Sequence, residues 1–157
     1  MAESDCLILA DASATEEQGR RLGAALLAVR PRELIVFLEG DLGAGKTTLV
    51  RGFLRALGHR GRVPSPTYTL IEPYEVAGFR VCHIDLYRIR APAEVDGLGL
   101  ADQLGPGSVA LIEWPERGAG ELPLADIRLC LEIAADGRLL QRLGTSEIGR
   151  SVLAHAA

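Results

Sequence analysis

The chain has no asparagine and a single lysine among its 157 residues, and only 4% of the residues are aromatic. The missing asparagine removes the N-K-x-D element with which GTPases read guanine. Cysteine is sparse: Cys6, Cys82 and Cys130 lie far apart with no C-x-x-C, which excludes a zinc ribbon or a disulfide framework. They are expected to be reduced thiols, buried in strands of a cytoplasmic protein. No apolar run approaches the roughly 20 residues needed to cross a membrane. No basic segment followed by an apolar one opens the chain, so no secretory signal is expected. Positive charge is not in excess either. Seventeen Lys and Arg face 21 Asp and Glu, for a net charge of −4, so no global basic field draws the chain onto DNA or RNA. Contact with a nucleic acid would be indirect, or limited to Arg60, Arg62 and their neighbours. Repeats, low-complexity tracts and linkers are absent, and residues 1–157 read as one domain.

What the sequence does contain is organised around Gly40-Asp41-Leu42-Gly43-Ala44-Gly45-Lys46-Thr47-Thr48, a match to G-x-x-x-x-G-K-[ST]. Glycines let backbone N–H groups close around phosphate oxygens, at the N-terminus of a helix whose dipole favours negative charge. Lys46 would reach the β- and γ-phosphates, and the Thr47 hydroxyl would ligate Mg²⁺. The flanks suit the motif. Leu34 to Leu38 read as a buried parallel-type strand. Thr48 to Leu57 read as a helix with Leu49, Val50, Phe53, Leu54 and Leu57 on one face. Lys46 is the only lysine, and the other sixteen cations are arginine. A compact point charge is required there, where a planar guanidinium would not fit.

In chain order, residues 5–10 read as a first strand. A helix over about 15–29 follows, capped by Ser13 or Thr15, with Leu22, Ala25, Leu26 and Val29 as its apolar stripe. Pro64 and Pro66 impose extended backbone on residues 63–69. Residues 69–76 and 79–86 form two strands around Ala77-Gly78. Short helices over 92–104 and a buried strand over 108–112 come next. Residues 127–134 and 139–143 form a hairpin around Asp136-Gly137, and a helix over 146–155 ends the chain. Together these elements predict an α/β protein: a three-layer α/β/α P-loop fold with a mostly parallel central sheet and antiparallel hairpins.

Two strands end in a carboxylate, Asp85 and Glu113, and ligands in α/β sheets collect beyond such strand ends. One acid would bind the metal, and the other would hold it through water or orient the attacking water. The competing roles are an ion pair of Asp85 with Arg88 or Arg90, and a solvated Glu113. Trp114 is either a core residue or a wall of the crevice. Thr67 and Thr69 lie either at an ordinary strand entry or in a switch segment that senses the γ-phosphate. His59, His83 and His155 have no metal-ligand spacing and are assigned no catalysis. Asp96-Gly97-Leu98-Gly99 fits D-x-x-G but lies in a helical stretch, so it is set aside as a decoy. The 92–106 segment carries no arginine, unlike the lid of a small-molecule kinase. A phosphotransferase and a binding module with negligible hydrolysis stay open as other classes.

Four blocks taken together resemble the TsaE (YjeE) family of bacterial P-loop ATPases, over about residues 7–133. They are the loop at 40–48, Ser-Pro-Thr-Tyr-Thr-Leu at 65–70, His-Ile-Asp-Leu-Tyr-Arg at 83–88 and Ile-Glu-Trp-Pro-Glu at 112–116. The resemblance implies a role in forming N6-threonylcarbamoyladenosine at position 37 of tRNAs that read ANN codons. It implies binding and hydrolysis of ATP with Mg²⁺, weak for the protein alone, and action on the TsaB–TsaD complex so that the transferase turns over. By the same resemblance Leu42, Gly43, Ala44, Gly45, Lys46, Thr47 and Thr48 bind the phosphates, while Thr47 and Glu113 bind Mg²⁺. Asp85 becomes the Walker-B-like acid, and Thr67 and Thr69 the switch-like loop. Trp114 lies beside the site, and Ser13 or Thr15 contributes from the first helix. The tail after residue 134 is assigned no role.

Overall fold

The computed structural model describes residues 3–157. Its centre is β2 (Leu34–Glu39), whose run of apolar residues suits a strand covered on both faces. The other strands are β1 (Glu3–Leu9), β3 (Ile71–Val76), β4 (Phe79–Asp85), β5 (Ser108–Glu113), β6 (Ile127–Ala134) and β7 (Gly137–Gly144). They form one sheet in the order β1-β7-β6-β2-β5-β4-β3. The four middle strands are mutually parallel, while β3, β7 and β1 add antiparallel pairings at the two ends. Pro73 sits in β3, an edge strand, where its missing N–H leaves no ladder bond unmade.

One face of the sheet carries α1 (Ala12–Val29), α2 (Lys46–Ala56) and α4 (Glu147–His155). Leu22, Ala25 and Leu26 of α1 and Leu49, Val50, Phe53 and Leu54 of α2 are buried there, as the helical periodicity requires. The two helices touch backbone to backbone. A Cβ on Gly19 would come within 1.9 Å of the Leu49 carbonyl oxygen, and one on Gly52 within 1.9 Å of that of Glu16. The opposite face is covered by a 3-10 segment (Pro92–Leu98), the four-residue α3 (Leu100–Gln103) and a 3-10 turn (Pro115–Gly118). These pack Val95 and Leu100, with Leu86 from just beyond β4, over Ile35, Ile84 and Ile112.

Three expectations need correction. Asp11, not Ser13 or Thr15, caps α1: its side chain accepts from the Ala14 N–H at 2.8 Å, and the helix starts at Ala12. Asp is as good a cap as Ser or Thr, so residue type alone could not choose. β3 begins at Ile71 rather than at residue 69, because residues 67–70 turn and Leu70 takes a left-handed φ of 70°. All three cysteines lie in strands, but only Cys82 is buried; Cys6 is exposed on the edge strand β1. No described helix is long and apolar enough to cross a membrane.

Candidate active site

The chain leaves β2 at Glu39, runs through residues 40–45 and enters α2 at Lys46. Gly45 precedes the helix with φ 109°, a conformation that L side chains rarely adopt, and no side chain caps the helix start. The first helical N–H groups therefore remain available to an anion. Lys46 is only 5% exposed. Its ammonium donates to the carbonyls of Gly40 and Asp41 and lies 4.5 Å from the centre of the Trp114 ring. Burial pushes its pKa down, while Glu113, Asp85, Glu116 and Asp41 push back up.

The acids arrive from the neighbouring strands. β4 and β5 run parallel to β2, so their carboxyl ends reach the same edge of the sheet. Asp85 and Glu113 are register partners, as are Glu113 and Leu38 of β2. A register pair shares a face, so both acids stand on the α2 side. Both are buried, at 3% exposure. Asp85 Oδ2 accepts from the hydroxyls of Thr67 at 3.1 Å and Ser65 at 3.3 Å, and Oδ1 from the Tyr87 N–H at 2.9 Å. It makes no ion pair with Arg88 or Arg90. Glu113 Oε2 accepts from the Thr47 hydroxyl at 3.2 Å and contacts His83 Nε2.

These groups line a crevice of about 300 Å³ together with Leu42 to Thr48, Ser65, Thr67 and Trp114. A second hollow of about 270 Å³ lies on the other flank of the loop, walled by Asp11, Thr15, Thr48, Gly137 and Arg138. Thr15 is buried, and its methyl lies 3.3 Å from where a Cβ on Gly45 would stand. The Arg138 guanidinium donates to the carbonyls of Gly43 and Ala44, both at 3.1 Å, and so ties β7 to the loop.

The donor set fits Mg²⁺. Thr47 and Glu113 offer hard oxygens side by side, below a loop shaped for phosphates. Among the described residues no cluster of three or more His, Cys, Asp or Glu could cage a metal alone. A partial shell is what Mg²⁺ uses when substrate phosphates and waters complete it.

Comparison with known proteins decides the family. Residues 9–142 match the model described as "Threonylcarbamoyl adenosine biosynthesis protein TsaE". The chain belongs to the TsaE family. A TsaE from Haemophilus influenzae is 43% identical over 136 residues, covering 86% of each chain. One from Rickettsia bellii is 35% identical, covering 80% of this chain and 88% of that one; both are named tRNA threonylcarbamoyladenosine biosynthesis proteins. The crystal structure of Bacillus subtilis YdiB superposes with a TM-score of 0.77 at 25% identity, covering 99% of this chain and 95% of that one. The fold is the α/β P-loop NTPase fold.

In this TsaE-family chain Lys46, Thr47, Asp85, Glu113, Thr67 and Trp114 share one crevice, and Thr15 and Thr48 face the second hollow. Trp114, for which core and crevice wall were alternatives, is both: it packs on the second core cluster and walls the crevice. Thr69 is different, because it is exposed in the 67–70 turn and does not line the crevice. Sequence reasoning missed Ser65, His83 and Arg138. Ser65 stood in plain view in the Ser-Pro-Thr block. For Arg138, nothing local to the hairpin signalled a partner 95 positions away at Gly43.

Proposed function

We propose that this chain is a Mg²⁺-dependent ATPase that supports turnover of the TsaB–TsaD transferase during formation of N6-threonylcarbamoyladenosine on tRNA. Membership of a family described by that biosynthesis supports the pathway. The observation that carries the chemistry is the convergence of Thr47, Glu113 and Asp85 beneath a phosphate-shaped loop. In this reading one domain, residues 1–157, holds the whole site. Leu42 to Thr48 hold the phosphates, and Lys46 exchanges the Gly40 and Asp41 carbonyls for β- and γ-phosphate oxygens. Thr15 and Arg138 stand where the nucleoside end lies.

Thr47 and Glu113 would hold Mg²⁺, which neutralises charge on the phosphates when bound. Asp85, fixed by three donors, orients the attacking water. Because Thr67 donates to Asp85, a change at the γ-phosphate is felt in the 65–70 segment, whose exposed Tyr68 and Thr69 a partner can read. The acidic chain touches tRNA indirectly if at all, and works in the cytoplasm without a membrane or DNA.

The test is release of γ-phosphate from labelled ATP by the wild type, Lys46→Ala and Glu113→Gln, with and without Mg²⁺. Mg²⁺-dependent release by the wild type alone is the expected result. Label recovered on an acceptor other than water, or no release at all, would overturn the hydrolase assignment.

A further inference from the structure

His83 is fully buried, two residues before Asp85 on β4, yet the site as described so far gives it no task. Its register partners are Leu111 of β5 and Glu72 of β3, so it stands on the α2 face, one pleat below the two acids. Among the described residues only one of its ring nitrogens has a partner. Nε2 contacts Glu113 Oε2, while Nδ1 is buried with none. A carboxylate can only accept, so the hydrogen lies on Nε2. Keeping Nδ1 unsatisfied in an apolar strand layer opposes stability. A histidine chosen for packing alone would not be placed there.

The other end of that hydrogen bond explains the placement. Oε2 of Glu113 takes two donors, His83 Nε2 and the Thr47 hydroxyl. Oε1 has no partner among the described residues, and Glu113 lines the crevice. Two donors on one oxygen fix the rotation of the carboxylate and leave the other oxygen for a ligand.

We propose that His83 is a positioning residue. Its Nε2–H pins Glu113 Oε2 so that Oε1 is presented to the metal ion beside Thr47. The proposal rests on the reading of Glu113 as a Mg²⁺ ligand. Groups that orient metal ligands typically change metal affinity by about 10- to 100-fold when removed. The amide of glutamine can donate from about the position of Nε2, whereas asparagine is too short to reach.

The test titrates Mg²⁺ into protein saturated with a non-hydrolysable ATP analogue, following Trp114 fluorescence or heat. It compares the wild type, His83→Gln, His83→Asn, His83→Leu and Glu113→Gln. Analogue affinity without Mg²⁺ and thermal unfolding are measured alongside. The expected result is a loss of Mg²⁺ affinity of about 10-fold or more in His83→Asn and His83→Leu, with His83→Gln within about 3-fold of the wild type. Metal-free analogue affinity stays unchanged in all three. Equal loss in Gln and Asn variants, or no loss in Asn, would overturn the proposal even if the Leu variant does not fold. Should Glu113→Gln keep wild-type Mg²⁺ affinity, the parent reading fails instead, whatever His83 does.

Discussion

Toward the β1 end of the sheet, Asp5 meets Arg142; toward the other end, Asp85 of β4 and Glu113 of β5 stand as register partners. Both belong to one register line that runs from Asp85 through Glu113, Leu38, Leu129 and Arg142 to Asp5. The buried Arg142 donates to both oxygens of Asp5 and to the Ala156 carbonyl, which also anchors the end of α4. Its charge is matched within the chain. At the crevice end, Asp85 and Glu113 accept from hydroxyls, a backbone N–H and an imidazole, and no arginine touches either among the described residues. The one nearby buried cation, Lys46, bonds to loop carbonyls rather than to either acid. One end of the line is therefore complete. The other holds two buried carboxylates with no cation bonded to either among the described residues, an arrangement that suits a ligand and matches the usual sacrifice of stability at a functional site.

Lys46→Ala should break the crevice end most. ATP affinity measured by calorimetry falls at least ~100-fold, because the charge facing the phosphates is gone. The free protein's unfolding temperature changes little, because the burial that disfavours this ammonium offsets its bonds to the Gly40 and Asp41 carbonyls. Next comes Glu113→Gln, for which hydrolysis slows on the order of 100-fold with no loss of unfolding temperature.

The complete end behaves the opposite way. Asp5→Asn leaves nucleotide affinity unchanged but costs about 0.5–1.5 kcal/mol in chemical denaturation, because it weakens a charge-assisted pair with a buried guanidinium that water screens from the half-exposed Asp5 side. Its pH dependence has a definite sign. Hydrogen bonding to Arg142, against the opposing effect of burial, holds Asp5 below its ordinary value of 3.8. The stability it contributes is therefore present above that value and is lost as pH falls through the lowered one. The difference between wild type and Asp5→Asn is full at pH 7 and closes in strong acid. The smallest effect is expected from Arg138→Ala, which removes two bonds to the loop from the strand between the two ends. Nucleotide affinity falls about 3- to 10-fold.

Much of the crevice was legible because its chemistry is local in sequence. The loop, its strand and its helix are contiguous, and Asp85 and Glu113 announce themselves as acids closing apolar runs. Asp11 was legible too, but two later cap types competed with it. His83 and Arg138 were not, for a physical reason. Their roles come from strand order and register, which bring β4 beside β5 and the start of β7 against the loop. A lone histidine in an apolar strand looks like core until its neighbour's last residue is known. Thr69 was harder to tell from Thr67: the two share one short block, and only the course of the 67–70 turn leaves Thr67 on the crevice and Thr69 exposed.

The most direct test of the whole account is multiple-turnover synthesis of the modified adenosine on tRNA, with purified TsaB, TsaD and the adenylate-forming enzyme. Wild type, Lys46→Ala and no added protein are compared. Sustained turnover with the wild type alone is the predicted result. Equal turnover in all three, while the wild type still hydrolyses ATP, would contradict the link between this crevice and that pathway.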